Sequence, residues 1–168
     1  MTSGRNTRRP ILLIGLLLVA ACESTTAPEP DTFVGRWDGR MWVGDASAYL
    51  AGDGKLYIYG TAPRGADAFS ADETLSARAT VAGRGTYVLG PDDVYFMELT
   101  GGDVVTAEYR GSGVPAGVLR ITRYEGPGGW VEGELQFTAT TDSPHASYGR
   151  SARLDDGRFR ARVTAPVP

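Results

Sequence analysis

The chain has 168 residues, 42% of them hydrophobic and 22% charged, with 23 glycines and a formal net charge of −3. That length is ample for one domain with its own core and too short to expect two. The mildly acidic balance offers no basic face for nucleic acid, and a single cysteine, Cys22, excludes an intramolecular disulfide.

Residues 1–10 carry Arg5, Arg8 and Arg9 and no acid, Ile11 to Val19 is apolar, and Ala20 and Ala21 lead directly to Cys22. A spanning helix needs about 20 apolar residues, so this run is too short to cross a bilayer. It matches the apolar region of a secretory leader, about 7–15 residues long. Charged head, greasy stretch, small residues and cysteine together resemble a bacterial lipoprotein signal peptide with its lipobox, with Val19 where leucine is the usual residue. Thr7 to Leu12 also resembles a twin-arginine export signal, although the leucine-rich stretch favours the general secretory route.

The resemblance implies that residues 1–21 are removed, that the Cys22 sulfur takes a diacylglyceryl group, and that the new amino terminus is acylated. Two or more acyl chains hold a protein stably on a membrane. The alternative is a simple secreted protein with a chance cysteine. Losing residues 1–21 removes three arginines and no acid, which takes the formal charge from −3 to −6. Glu23 follows the cysteine where aspartate often signals inner-membrane retention, which favours the outer membrane of the cell envelope.

Residues 22–31 read as the lipidated cysteine and a polar tether stiffened by Pro28 and Pro30, and residues 32–168 as one all-β domain. Strands are expected at Gly35–Trp42, Ser47–Leu50, Val94–Leu99, Val104–Arg110 and Gly149–Leu154. Further strands start at Gly54, Gly85, Gly117, Gly133 and Gly157, each glycine being followed by apolar residues two and four positions on. Val131, Gly133, Leu135, Phe137 and Ala139 alternate with Glu132, Glu134, Gln136, Thr138 and Thr140, the two-residue period of a half-buried antiparallel strand. Phe159, Ala161 and Val163 alternate with Arg158, Arg160 and Arg162 in the same way, and these arginines can lie across from Glu132 and Glu134. Turns are expected at Gly52–Gly54, Gly90–Asp93, Gly101–Asp103, Gly126–Gly129 and Asp155–Gly157.

Arg64 to Val81 admits two readings. Ser70 with Glu73 could cap a short helix, whereas Leu75, Ala77, Ala79 and Val81 alternate as a strand; the alternation is favoured, after a mobile loop over 62–71. Many short strands between Gly and Asp turns indicate an antiparallel sandwich or a barrel.

Nothing in the chain spells out a catalytic site. His145, the only histidine, follows Asp142, Ser143 and Pro144, but adjacency does not set triad geometry, and a solvated loop histidine is the expected role. Asp38, Asp45, Asp53, Asp92, Asp93, Asp155 and Asp156 lack the spacing of a calcium loop, and one histidine with one cysteine cannot make a zinc cluster. The expectation is therefore no catalytic residue, no metal and no cofactor. Trp37, Trp42, Tyr49, Tyr57 and Tyr59 crowd the first strands, with Tyr57 and Tyr59 on the face opposite Leu56 and Ile58. Exposed, such rings could stack on sugars or anchor a protein; buried, they would be core. Phe33-x-Gly35-x-Trp37 is similar to the opening strand of lipocalins.

Gly85-Thr86-Tyr87-Val88-Leu89, Gly117-Val118-Leu119-Arg120-Ile121-Thr122, Gly133 to Ala139 and Gly157-Arg158-Phe159, behind the lipobox, resemble a family of uncharacterised bacterial lipoproteins with an all-β domain of unknown function. Leu135 stands where that family usually has an aromatic residue. The resemblance implies a β-sandwich-like surface lipoprotein and carries no activity. The expectation is a lipid-anchored, non-catalytic binding or structural module whose partners are the membrane and a protein or glycan. The alternative is a lipocalin-like or glycan-binding barrel for a small ligand.

Overall fold

The computed structural model describes residues 28–63, 72–101 and 104–165. The leader, Cys22, the start of the tether and residues 64–71 of the expected loop lie outside the described residues. Among the described residues there is no α-helix, and the chain is all-β.

Strand β1 (Thr32–Trp37) buries Phe33 and Trp37, and β2 (Arg40–Leu50) buries Trp42, Ala46 and Ala48. The single strand expected over Gly35–Trp42 is in fact a hairpin. Asp38 and Gly39 both take positive φ, 50° and 77°, and Trp37 pairs with Arg40 across them. Two left-handed residues in a two-residue loop match the right-handed twist of flanking strands, and Asp-Gly suits that geometry.

Next come β3 (Lys55–Pro63) and β4 (Asp72–Thr80), which settles the ambiguous segment as a strand. β5 (Gly85–Leu89) leads through a 3-10 turn at Pro91–Asp93 into β6 (Val94–Thr100) and β7 (Val104–Gly111). β8 (Gly117–Tyr124), β9 (Trp130–Thr140) and β10 (Ser151–Thr164) complete the domain.

The turn expected at Asp155–Gly157 is instead a bulge inside the 14-residue β10. Leu154 pairs with Phe137 and Gly157 with Leu135, so Asp155 and Asp156 together face Gln136, and Asp156 has φ 53°. One extra residue flips the side-chain phase: Ala152 and Leu154 are buried before the bulge, and Phe159, Ala161 and Val163 after it.

The pairings close on themselves. β1 joins β2, and the ladder continues through β3, β4, β6, β7, β9 and β10 back to β1. The domain is therefore a barrel built from one continuous sheet. Where β1 runs out, β10 and β2 pair directly and in parallel, Val163 with Ala48 and Thr164 with Tyr49. β8 extends from β9, and β5 from β8.

Side chains fill the interior, as expected of a small barrel. Trp37 stacks on Phe96 at 4.1 Å between ring centroids and meets Phe137 at 5.5 Å. Phe33 stacks on Phe159 at 5.9 Å and takes Trp42 edge-on at 5.5 Å. The exterior around β9 and β10 is charged and paired: Arg160 reaches Glu132 at 3.3 Å, Arg120 reaches Glu134 at 3.2 Å, and Arg153 reaches Asp155 at 2.6 Å. Arg160 and Arg162 also lie over the Trp130 ring, at 4.7 and 5.2 Å from its centroid.

Candidate functional site

Among the described residues, two places gather polar and aromatic groups beyond what a barrel needs. One is inside, near the mouth closed by the β1–β2 turn and the β9–β10 segment. Glu73 on β4 and Glu98 on β6 are direct cross-strand partners, and both are buried. Glu73 accepts the Trp42 Nε1–H at 2.9 Å and the Tyr148 hydroxyl at 2.6 Å. Glu98 accepts the Tyr109 hydroxyl at 3.0 Å and the Ser147 backbone N–H at 3.0 Å, and Tyr109 in turn accepts the Tyr148 N–H at 3.2 Å. Beside Glu98 the register slips so that Thr106 is an extra residue on β7, and its hydroxyl donates to the Glu98 carbonyl at 3.0 Å. Such a bulge re-aims neighbouring side chains.

The donors on these carboxylates come from strands and from the β9–β10 segment, so the cluster fastens residues 143–148 across the mouth. Ser143 adds to this by donating its hydroxyl to the Thr106 carbonyl at 2.8 Å. Arg40 closes the outer side with its guanidinium 5.6 Å from the Tyr148 ring centroid.

The second place is on the outer face of β2, β3, β4 and β6. Leu56 and Ile58 point inward and are fully buried, which puts Tyr57 and Tyr59 outside. Tyr57 pairs across the ladder with Tyr49 on one side and Arg78 on the other. Tyr59 pairs with Ser76, which pairs with Tyr95. The Tyr57 and Tyr59 rings lie 6.2 Å apart at 11°, and Tyr49 is 6.4 Å from Tyr57. Ser76, only 2% exposed although it faces outward, is the floor between the flanking tyrosines.

Above that floor is a cleft of about 330 Å³ with Tyr57, Tyr95 and Met97 in its walls. Ion pairs stand at its ends, Arg78 with Asp93 at 3.3 Å and Arg110 with Glu108 at 2.8 Å. Partial burial raises the Tyr59 hydroxyl above the usual tyrosine range, and the neighbouring Tyr95, Tyr57 and Tyr49 raise it further. No protein-family model, curated protein or solved structure matches this chain.

The residues singled out from sequence separate cleanly. Trp37 and Trp42 are interior, at 1% and 4% exposed, so neither is available to a ligand on the surface. Tyr49, Tyr57 and Tyr59 come together outside, with Tyr95 and Ser76 added by strand pairing. His145 is exposed, and its backbone N–H rather than its ring meets Ser143 Oγ, at 3.3 Å. With the Ser143 proton given to Thr106, no Ser–His relay is set up there. Among the described residues no group of three or more His, Cys, Asp or Glu could hold a metal ion. In the sequence Glu73 stood out only as a capping-box partner of Ser70 and Glu98 not at all, though each sits in the apolar phase of its strand, with Leu75 and Ala77 or with Val94 and Phe96.

Proposed function

We propose that the protein is a lipid-anchored module of the bacterial cell envelope that binds, without catalysis, through the outer face of its barrel. The observation that carries the binding half is the tyrosine cluster of Tyr49, Tyr57, Tyr59 and Tyr95. A barrel needs only polar residues at outward positions, and around β8, β9 and β10 this one uses paired charges. Four half-buried tyrosines around a small-residue floor are not needed for the fold.

The anchoring half is supported by the lipobox-like leader, by the likeness to uncharacterised envelope lipoproteins, and by the tether before β1. Ten residues over 22–31 reach at most about 33–36 Å, enough to lift the barrel clear of the headgroups. The charged exterior suits a barrel standing in water beside the membrane, since a lipid-embedded barrel carries apolar residues outward. A lipocalin-like barrel closing around a small ligand has less support, because Trp37, Phe96, Phe33 and Phe159 fill the interior where that ligand would sit.

Metabolic labelling with a fatty-acid analogue, followed by membrane fractionation, tests the anchor. The expected result is a labelled, membrane-bound protein that becomes unlabelled and soluble in Cys22→Ser. Label retained in Cys22→Ser, or an unlabelled wild-type protein in the soluble fraction, would overturn it.

A further inference from the structure

We propose that the tyrosine face binds a neutral carbohydrate chain, a ligand class that rests on the reading of this face as the binding surface. The first argument is area. Tyr49 and Tyr57 extend the aromatic surface across two strands, and Tyr57 and Tyr59 extend it along β3, over more surface than one sugar ring covers. Tyrosine joins an apolar ring to a polar tip, which suits a ligand whose rings have C–H faces and hydroxyl rims. A single bound metabolite would call instead for an enclosing pocket that buries most of its surface.

The second argument is charge. Each guanidinium in the cleft already has a carboxylate of its own, Arg78 with Asp93 and Arg110 with Glu108. A polyanion would have to displace a carboxylate from each arginine, and a polycation would have to displace the arginines from Asp93 and Glu108, which leaves it, among the described residues of the cleft, exposed Asp92 alone as a ready partner. A neutral polyol needs neither exchange. It can donate to the outer carboxylate lone pairs and accept from the remaining guanidinium N–H groups, which are planar and preorganised. These ion pairs are partly solvent-accessible, so a ligand can reach them.

The third argument is shape. Ser76 is a small side chain between the larger Tyr59 and Tyr95 in its cross-strand row, and it leaves a trough open to solvent. Among the described residues Met97 is the only aliphatic side chain lining this cleft, so an apolar peptide anchor would find little to fill.

Affinity electrophoresis of the full-length protein in mild detergent tests the proposal, with native gels containing hydroxyethylcellulose, pullulan or alginate. The expected result is retardation by a neutral glucan and none by alginate. Tyr57→Ala and Tyr59→Ala should each weaken retardation roughly tenfold, as expected when an aromatic contact at the centre of a site is removed. Tyr57→Phe should keep most of it, and Val88→Ser, an exposed position on β5, should change nothing.

Retardation by alginate alone, retardation that survives both alanine variants, or no retardation by either neutral glucan would overturn the proposal. Circular dichroism of each variant separates lost binding from lost folding, and a Tyr57→Phe protein that folds but binds no better than Tyr57→Ala also counts against ring stacking. None of these outcomes bears on anchoring, which the Cys22→Ser fractionation reads separately.

Discussion

Gly60 offers a sharp test of the packing inside the barrel. It faces inward on β3, paired with Ala46 on β2 and Leu75 on β4. A Cβ at this position would lie 2.8 Å from Trp42 Cη2, 3.0 Å from Cζ3 and 3.1 Å from Leu75 Cγ. The indole cannot easily retreat, because Phe33 meets it edge-on and its N–H is held by Glu73. Overpacking of this kind costs about 1–3 kcal/mol. Against it stands the gain from restricting the unfolded chain, about 0.4–1 kcal/mol for Gly→Ala. The clash wins, so Gly60→Ala should destabilise by about 1–2 kcal/mol.

Trp42→Phe removes the very ring atoms that the methyl would strike. In that background Gly60→Ala should be neutral or mildly stabilising, with Leu75 the one close neighbour left. The two substitutions should therefore couple by about 1–3 kcal/mol, within the range for residues in contact. Trp42→Phe on its own also takes a donor from Glu73, but that loss is common to both arms of the cycle and cancels. Equilibrium urea unfolding of the four proteins, followed by circular dichroism, supplies the numbers. Energies that add to within about 0.5 kcal/mol, or a Gly60→Ala protein more stable than wild type, would show that β2 and β3 do not meet in this register.

Two further outcomes follow from the same geometry. Tyr148→Phe deletes the donor to Glu73 at 2.6 Å and should cost about 1–3 kcal/mol; hydrogen exchange should accelerate over 143–148, and unchanged protection there would mean that the carboxylates do not fasten this segment. Tyr59 has a raised folded-state pKa, so its native form holds the proton more tightly than the unfolded chain does. That contribution is complete below the unfolded value of about 10 and is lost as pH rises through the folded value. Alkaline unfolding should therefore steepen above about pH 10 in wild type and be less steep in Tyr59→Phe; identical alkaline limbs would refute it.

The strands were legible because alternation survives one-sided burial. The runs at β9 and after the β10 bulge show it plainly, and so does Leu75 to Ala79, which prevailed over a capping-box signal at Ser70 and Glu73. Glu73 is instead an inward strand residue tied to Trp42 and Tyr148. Two local features misled in opposite directions. Asp38-Gly39 hid a hairpin between two tryptophan-bearing segments, and Asp155-Asp156-Gly157 looked like a turn but only shifts the phase of a continuous strand.

A sandwich or a barrel was legible, but the choice of a closed barrel was not. It depends on β1, already in a hairpin with β2, pairing also with β10, a contact between opposite ends of the chain that no local pattern encodes. The outer site was half legible: the alternation at Tyr57 and Tyr59 marked two exposed aromatic positions, but only strand order brings Tyr95 and Ser76 beside them.

The inner carboxylates bear on why recognition belongs outside. Glu73 and Glu98 are directly opposed on neighbouring strands, where Cβ atoms lie about 4.5–5.5 Å apart. Buried polar networks often stabilise no more than an apolar replacement of the same shape would. Among the described residues, the two acids between them hold Ser147 and Tyr148 of the β9–β10 segment. Polar fasteners specify one position for a segment that greasy packing would let slide. Among the described residues, the fastened 143–148 segment covers the mouth and stacked rings occupy the interior, which disfavours entry of a ligand. The outer tyrosine face requires no opening, and its strands are rows of the closed barrel, so the surface it offers is already rigid before anything binds.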